Sequence, residues 1–308
     1  MQSFASPREW AMFFALIFVL LALDLGVLHR RERRIGFREA LIGSVLWTAV
    51  GLGFNLWVRL AHGPVAGVEF LAAYVIERSL SFDNIFVFLV IFEYFAVPEE
   101  LQHRVLYWGI LGALVLRGIF IAAGTALLAR FEWMILVLGA LLVYTGVRIL
   151  AGKDAEVRPE TNPVVRLFQR LVPLTSELHG RRFLVRRGGR LLATPLALVL
   201  VVVEATDVVF AIDSIPAVFG VTRDSFIAFT SNIFAILGLR ALYFLLAGLM
   251  HRFVYLSPGL GLVLAFVGGK MLIHRWIEIP TSLSLAIVLA VLAVAVVASL
   301  LRPPAARG

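Results

Sequence analysis

Nine apolar stretches separated by short polar or arginine-bearing connections set the pattern of this chain. They are residues 10–28, 40–57, 70–97, 105–129, 133–150, 191–220, 226–250, 254–273 and 279–301. Each can cross a hydrocarbon core of about 30 Å at about 1.5 Å per residue. The pattern predicts an all-α, polytopic transmembrane helical bundle of about nine spans, forming a single membrane domain over residues 1–308. The first stretch reads as a retained span rather than a signal peptide. No basic region precedes it, and no small-residue cleavage site comes before the arginine cluster at 30–34.

Composition agrees with lipid as the solvent: 61% of the 308 residues are hydrophobic, only 16% are charged, and mean hydropathy is +0.94. Soluble domains hold about 25% charged residues. With no cysteine, disulfide scaffolds, thiol catalysis and Cys–metal sites are excluded. The net charge of +8 comes from 26 arginines and two lysines against 20 acids. These bases lie between apolar segments, so they read as membrane topology and not as a nucleic-acid surface. One side collects 19 of them, including Arg30, Arg31, Arg33, Arg34, Arg38 and ten between 148 and 190; the other collects six. The positive-inside rule then predicts an N-terminus outside and a C-terminus in the cytoplasm. The phenylalanines and leucines of the basic stretch are expected to lie on anionic headgroups.

Aligning Asp83 with Asp207 sets SFDNIFVF beside EATDVVFAI at an offset of 124. Arg117 then meets Arg240 at 123, and Arg130-Phe131 meets Arg252-Phe253 at 122. Charges within spans are rare, so their matching carries weight that apolar matches do not. The chain therefore divides into two N-terminal spans (1–64), repeat 1 (65–150), a basic cytoplasmic linker (151–190), repeat 2 (191–274), and a last span with its tail (275–308). Three spans per copy make the repeat inverted. The third and sixth stretches open the two copies and are the longest, at 28 and 30 residues. The surplus predicts tilt, a break or a re-entrant bend. Pro216 marks the expected break, at Ser214-Ile215-Pro216. Interrupted helices at matching places in two halves point to a transporter's binding site.

Leaving aside Glu93 near the end of the third stretch, five carboxylates fall within those two stretches: Glu77, Asp83, Glu204, Asp207 and Asp213. Each costs about 2.5–3.5 kcal/mol at mid-span on insertion scales. Three intramembrane bases, Arg78, Arg117 and Arg240, leave an excess of two negative charges, which a divalent cation would match. Buried ion pairing is the competing reading, in which Arg117 and Arg240 are structural counter-ions rather than substrate contacts. Glu204 and Asp207 share one helical face, as do Glu77, Ser81 and Asn84. Asp213 projects about 120° away from Asp207 on a straight helix, and a break near Ser214 would turn it back. Carboxylates, the Asn84 amide and Ser or Thr hydroxyls form an all-oxygen set suited to Mn²⁺, Mg²⁺ or Ca²⁺. All six histidines lie in loops or at span ends, which disfavours zinc or copper in the core. Asp24, near Arg30, reads as a structural anchor.

Four motifs resemble the TerC family of bacterial integral membrane proteins: LALDLGVLHR at 21–30, ERSLSFDN at 77–84, VEATDVVFAIDSIPAVFG at 203–220 and TSNIFAILGLRALYF at 230–244. The resemblance covers nearly the whole chain, with the 151–190 linker its least family-like part. It implies a multi-pass plasma-membrane protein of the LysE-like transporter group, with a role in manganese export and a looser association with tellurium resistance. Carried over residue by residue, the metal-handling positions are Glu77, Asp83, Glu204, Asp207 and Asp213, with Asn84 and Ser214 beside them. The expectation is a secondary transporter exporting Mn²⁺, with protons exchanged for metal at the carboxylates and no tightly bound cofactor. Its partners are the metal ion and the bilayer. A membrane scaffold, assembly or tellurite-resistance factor whose acids only pair with arginines is the alternative. An enzyme is not expected: the GxGD and GxSG signatures of intramembrane proteases and the nucleotide-binding P-loop are all missing.

Overall fold

The computed structural model describes residues 3–26, 36–131, 133–152, 163–175, 179–187, 190–247, 254–274 and 276–301. The arginine cluster at 30–34, residues 153–162 of the linker, Arg252 and the tail from 302 lie outside the described residues, as do the side chains of Asp24 and Asp83.

Helices occupy all nine predicted stretches. In chain order they begin with α1 (Pro7–Gly26), α2 (Phe37–His62), α3 (Pro64–Tyr94), α4 (Glu99–Arg130) and α5 (Met134–Leu150). The linker contributes a short α6 (Pro163–Leu171) and an antiparallel hairpin of β1 (Leu184–Arg187) and β2 (Arg190–Ala193). Then come α7 (Pro195–Phe219), α8 (Ser225–Leu237), α9 (Leu239–Ala247), α10 (Leu256–Ile273) and α11 (Thr281–Leu301). Five of these, α2, α4, α7, α10 and α11, are long and apolar enough to cross a membrane. The pair α8–α9, bent by 41°, makes a sixth. Among the rest, α3 has length to spare at 31 residues but carries Glu69, Glu77, Arg78 and Glu93, and α5 has 17 residues. The chain is an all-helical integral membrane protein in which the linker adds the small hairpin.

The linker is tied to the bundle where α7 begins. Thr194 caps that helix by accepting from the Ala197 N–H, and its hydroxyl donates to the Arg182 carbonyl at 2.7 Å. Pro195 follows at the first helical turn, where its missing N–H costs nothing.

The middle of the bundle is α3, which packs on α2, α7, α8, α10 and α11. Helix directions follow from which residues meet. On α4, Gly109, Gly112 and Gly124 face Val203, Glu204 and Phe219 of α7, so these helices run the same way. Glu69 at the start of α3 accepts from Thr222, just past the end of α7, at 2.6 Å, so α3 and α7 run oppositely. Helices α5 and α10 are also opposed. Gly139 lies against Gly268 and Gly146 against Gly261, each pair in backbone contact.

Two departures from the sequence reading affect the site. The break expected at Ser214-Ile215-Pro216 is absent: α7 stays helical through Pro216 to Phe219. Pro216 costs the helix one bond, to the Ile212 carbonyl in the turn before it, and in a membrane neighbouring spans can satisfy the freed carbonyl without a break. The interruption lies instead at Gly238, between α8 and α9. There the Arg78 guanidinium fills the space where a Cβ on Gly238 would sit, and it donates to the Ala235 carbonyl at 2.8 Å. A cation on the last carbonyls of α8 is favourable for that helix end.

Candidate functional site

Three helices bring their charges together at one buried point. Arg117 of α4 is 1% exposed, Glu77 of α3 is fully buried, and Asp207 of α7 is 4% exposed. The guanidinium forks onto Asp207: Nε donates to Oδ2 at 3.2 Å and Nη2 to Oδ1 at 3.0 Å. Its third nitrogen, Nη1, donates to Glu77 Oε1 and is also near Ser214 Oγ at 3.3 Å and Asn232 Oδ1 at 3.4 Å. Bidentate guanidinium–carboxylate contacts combine geometric specificity with strength. One positive charge here faces two carboxylates.

The satisfaction of polar atoms is incomplete. Glu77 Oε2, Asn232 Nδ2 and Glu204 Oε2 are buried and have no hydrogen-bond partner among the described residues. Glu204 stands three residues before Asp207 on α7, where its carboxylate packs over Gly112 of α4. Any side chain at Gly112 would collide with it. Buried polar groups are nearly always paired, so unpaired oxygens next to two carboxylates that share one guanidinium call for an explanation.

Other positions singled out in the sequence separate from this point. Asp213 does not turn back toward Asp207, because α7 is unbroken. It accepts from Thr145 of α5 at 3.0 Å, on another face of the helix. Arg78 turns away from the neighbouring Glu77 to cap α8. Ser81 is spent on the Glu77 backbone carbonyl at 2.8 Å. Asn84 and Arg240 are buried within the bundle, and Arg240 has a partner. Asp83 and Asp24 lie outside the described side chains. Ser214 and Arg117 do lie at this point, with Arg117 paired to both carboxylates. Asn232 was missed. It sits in a Thr230-Ser231-Asn232 run that is polar within an otherwise apolar stretch and wholly buried, and that run was the available signal. Among the described residues, no three His, Cys, Asp or Glu side chains converge to hold a metal.

The "Integral membrane protein TerC family" matches residues 62–306. The chain is 49% identical over 300 residues to "Uncharacterized membrane protein STKORF319" of Myxococcus xanthus, covering 97% of this chain and 94% of that one. It is 45% identical to "Putative membrane-bound redox modulator Alx" of Photorhabdus laumondii, covering 96% of each. The protein of the same name from Escherichia coli K12 is 43% identical, with 95% and 94% covered. No solved structure matches the chain. Matching motifs, near-complete coverage and a buried charge cluster on the motif helices all agree: this chain belongs to the TerC family of integral membrane proteins.

Proposed function

We propose that this protein is a secondary transporter of the bacterial inner membrane that exports a hard divalent cation, Mn²⁺ foremost, with protons exchanged at its carboxylates. The observation that carries the reading is the buried pair Glu77 and Asp207, held by one guanidinium, with Glu77 Oε2 unpartnered. Intramembrane acids facing a bundle interior mark ion pathways by default. Oxygen donors suit Mn²⁺ and Mg²⁺. Glu204 lies one turn away on the same helix and adds a third carboxyl group. Asp83 completes the acidic set that the sequence places on α3. With no cysteine in the chain, any influence on redox state would run through the metal moved and not through a thiol of its own.

The helix directions support an inverted repeat of α3–α5 on α7–α10. The packing of α3 on α8 mirrors that of α7 on α4, and α5 meets its counterpart α10 antiparallel. Gly139 and Gly146 match Gly261 and Gly268 at an offset of 122, the value the Arg-Phe pairs give. Nine spans would make α4 and α7 parallel and α3 and α7 opposed, the directions seen, and the arginine asymmetry puts the N-terminus outside. Single cysteines at Ala61 and Ala151 should therefore label from opposite sides, Ala61 from outside and Ala151 from the cytoplasm; the reverse would overturn the orientation.

One observation favours the scaffold reading instead. Arg117 already satisfies three carboxylate oxygens, as a purely structural ion pair would. Uptake of Mn²⁺ into everted vesicles, with competing Mg²⁺, Ca²⁺ and Zn²⁺, separates the two. Saturable, proton-dependent Mn²⁺ accumulation is expected. Vesicles with the protein that accumulate no more than empty ones would favour the scaffold.

A further inference from the structure

The surroundings of Arg117 Nη1 are unusual for an arginine nitrogen. Three oxygens converge on it from three helices: Glu77 Oε1 from α3, Ser214 Oγ from α7 and Asn232 Oδ1 from α8. Nη1 has two hydrogens to share among these three oxygens, and the Ser214 hydroxyl has one of its own to give to Glu77. A fourth oxygen, Glu77 Oε2, stays buried beside them without a partner. One carboxylate, one hydroxyl and one amide oxygen around a positive centre, with Asp207 alongside, is the donor chemistry of a hard cation site. An arginine needs only the Asp207 fork to be held. The extra oxygens suit an occupant that accepts from all directions.

On the transport reading above, we infer that the Arg117 guanidinium is a tethered stand-in for the cargo, occupying with Nη1 an oxygen cage of Glu77, Ser214 and Asn232 that a hard divalent cation takes when the arginine withdraws. The cation and the guanidinium repel, so the two occupy the cage in turn. The empty carrier thereby keeps its carboxylates neutralised without cargo, and the arginine's return helps to expel the ion. Glu204 gives the withdrawn guanidinium somewhere to go. It lies three residues before Asp207 on α7, against Gly112, which is five residues before Arg117 on the parallel α4, and its Oε2 is free. Asn232 and Ser214 become neutral ligands of the cargo.

The test is calorimetric binding of Mn²⁺ to the purified full chain as wild type, Arg117→Met and Arg117→Lys. Removing the internal competitor should tighten Mn²⁺ binding by about tenfold or more in Arg117→Met. Arg117→Lys, which keeps the charge but loses the fork, should fall between. Both variants should lose vesicle transport, because nothing then drives release as the arginine does. Should Arg117→Met not accumulate, Arg117→Lys decides alone: binding equal to or weaker than wild type overturns the stand-in. Wild type that transports Mn²⁺ while neither variant binds it more tightly removes this inference and leaves the transport reading intact. Folded wild type and variants that all fail to bind Mn²⁺ remove both.

Discussion

Leucine at Gly146 should separate α5 from α10 and destabilise the protein by at least about 3 kcal/mol, the upper end of overpacking costs. A Cβ at that position would lie 2.5 Å from the Gly261 carbonyl oxygen and 2.7 Å from the Ala265 nitrogen. Both are backbone atoms inside a helix, so neither can rotate aside as a side chain would. The reciprocal pair is as tight, with a Cβ on Gly268 at 2.6 Å from the Gly139 carbonyl oxygen. In a membrane, where lipid is as apolar as leucine, such close backbone approach is a principal source of helix association. Gly269 of α10 provides the control, since nothing lies within 4 Å of its Cβ position. Thermal unfolding in detergent should place Gly146→Leu far below wild type and leave Gly269→Leu near it. Equal stability of the two variants would mean that the α5–α10 contact does not hold the fold.

The second large effect falls on activity. Asp207→Asn and Glu77→Gln should each reduce Mn²⁺ transport by about 100-fold or more, since even outer groups of metal sites cost 10–100-fold in affinity when changed. Both variants should still insert and fold. The amide oxygen can still accept one bond from Arg117, and neutralising one acid leaves the guanidinium matched by the other. Asp213→Asn should behave differently. Its neighbour is Thr145, its position is on another face of α7, and an asparagine oxygen can still accept from the hydroxyl. Transport within about threefold of wild type is expected, the scale of one neutral hydrogen bond. Vesicle assays at matched protein levels compare the three. A collapse in Asp213→Asn equal to that in Asp207→Asn would show that the site extends to α5.

These contrasts trace how far the sequence could be read. Helices stand at all nine apolar stretches, because twenty apolar residues in lipid leave the backbone few alternatives. Glu77, Asp207 and Arg117 were legible as a group because intramembrane charges are rare. Asp213 was expected to rejoin them through a break at Pro216, but a proline costs a helix one bond to the preceding turn, and α7 absorbs that loss without breaking. Asn232 went unremarked since a single neutral amide in an apolar stretch announces no partner until packing shows what faces it. The glycines at 139, 146, 261 and 268 carried their spacing in plain view. Spacing alone does not say which helix answers which, and only the folded arrangement pairs them.

On the reading proposed above, Glu77 and Asp207 form the heart of a site for a hard divalent cation. Titration of Mn²⁺ into purified wild type and Asp207→Asn, at one pH and matched detergent, tests it most directly. Saturable binding to wild type and loss of that binding in Asp207→Asn are expected, with both proteins folded by their thermal unfolding profiles. Equal Mn²⁺ affinity in the two proteins would contradict it.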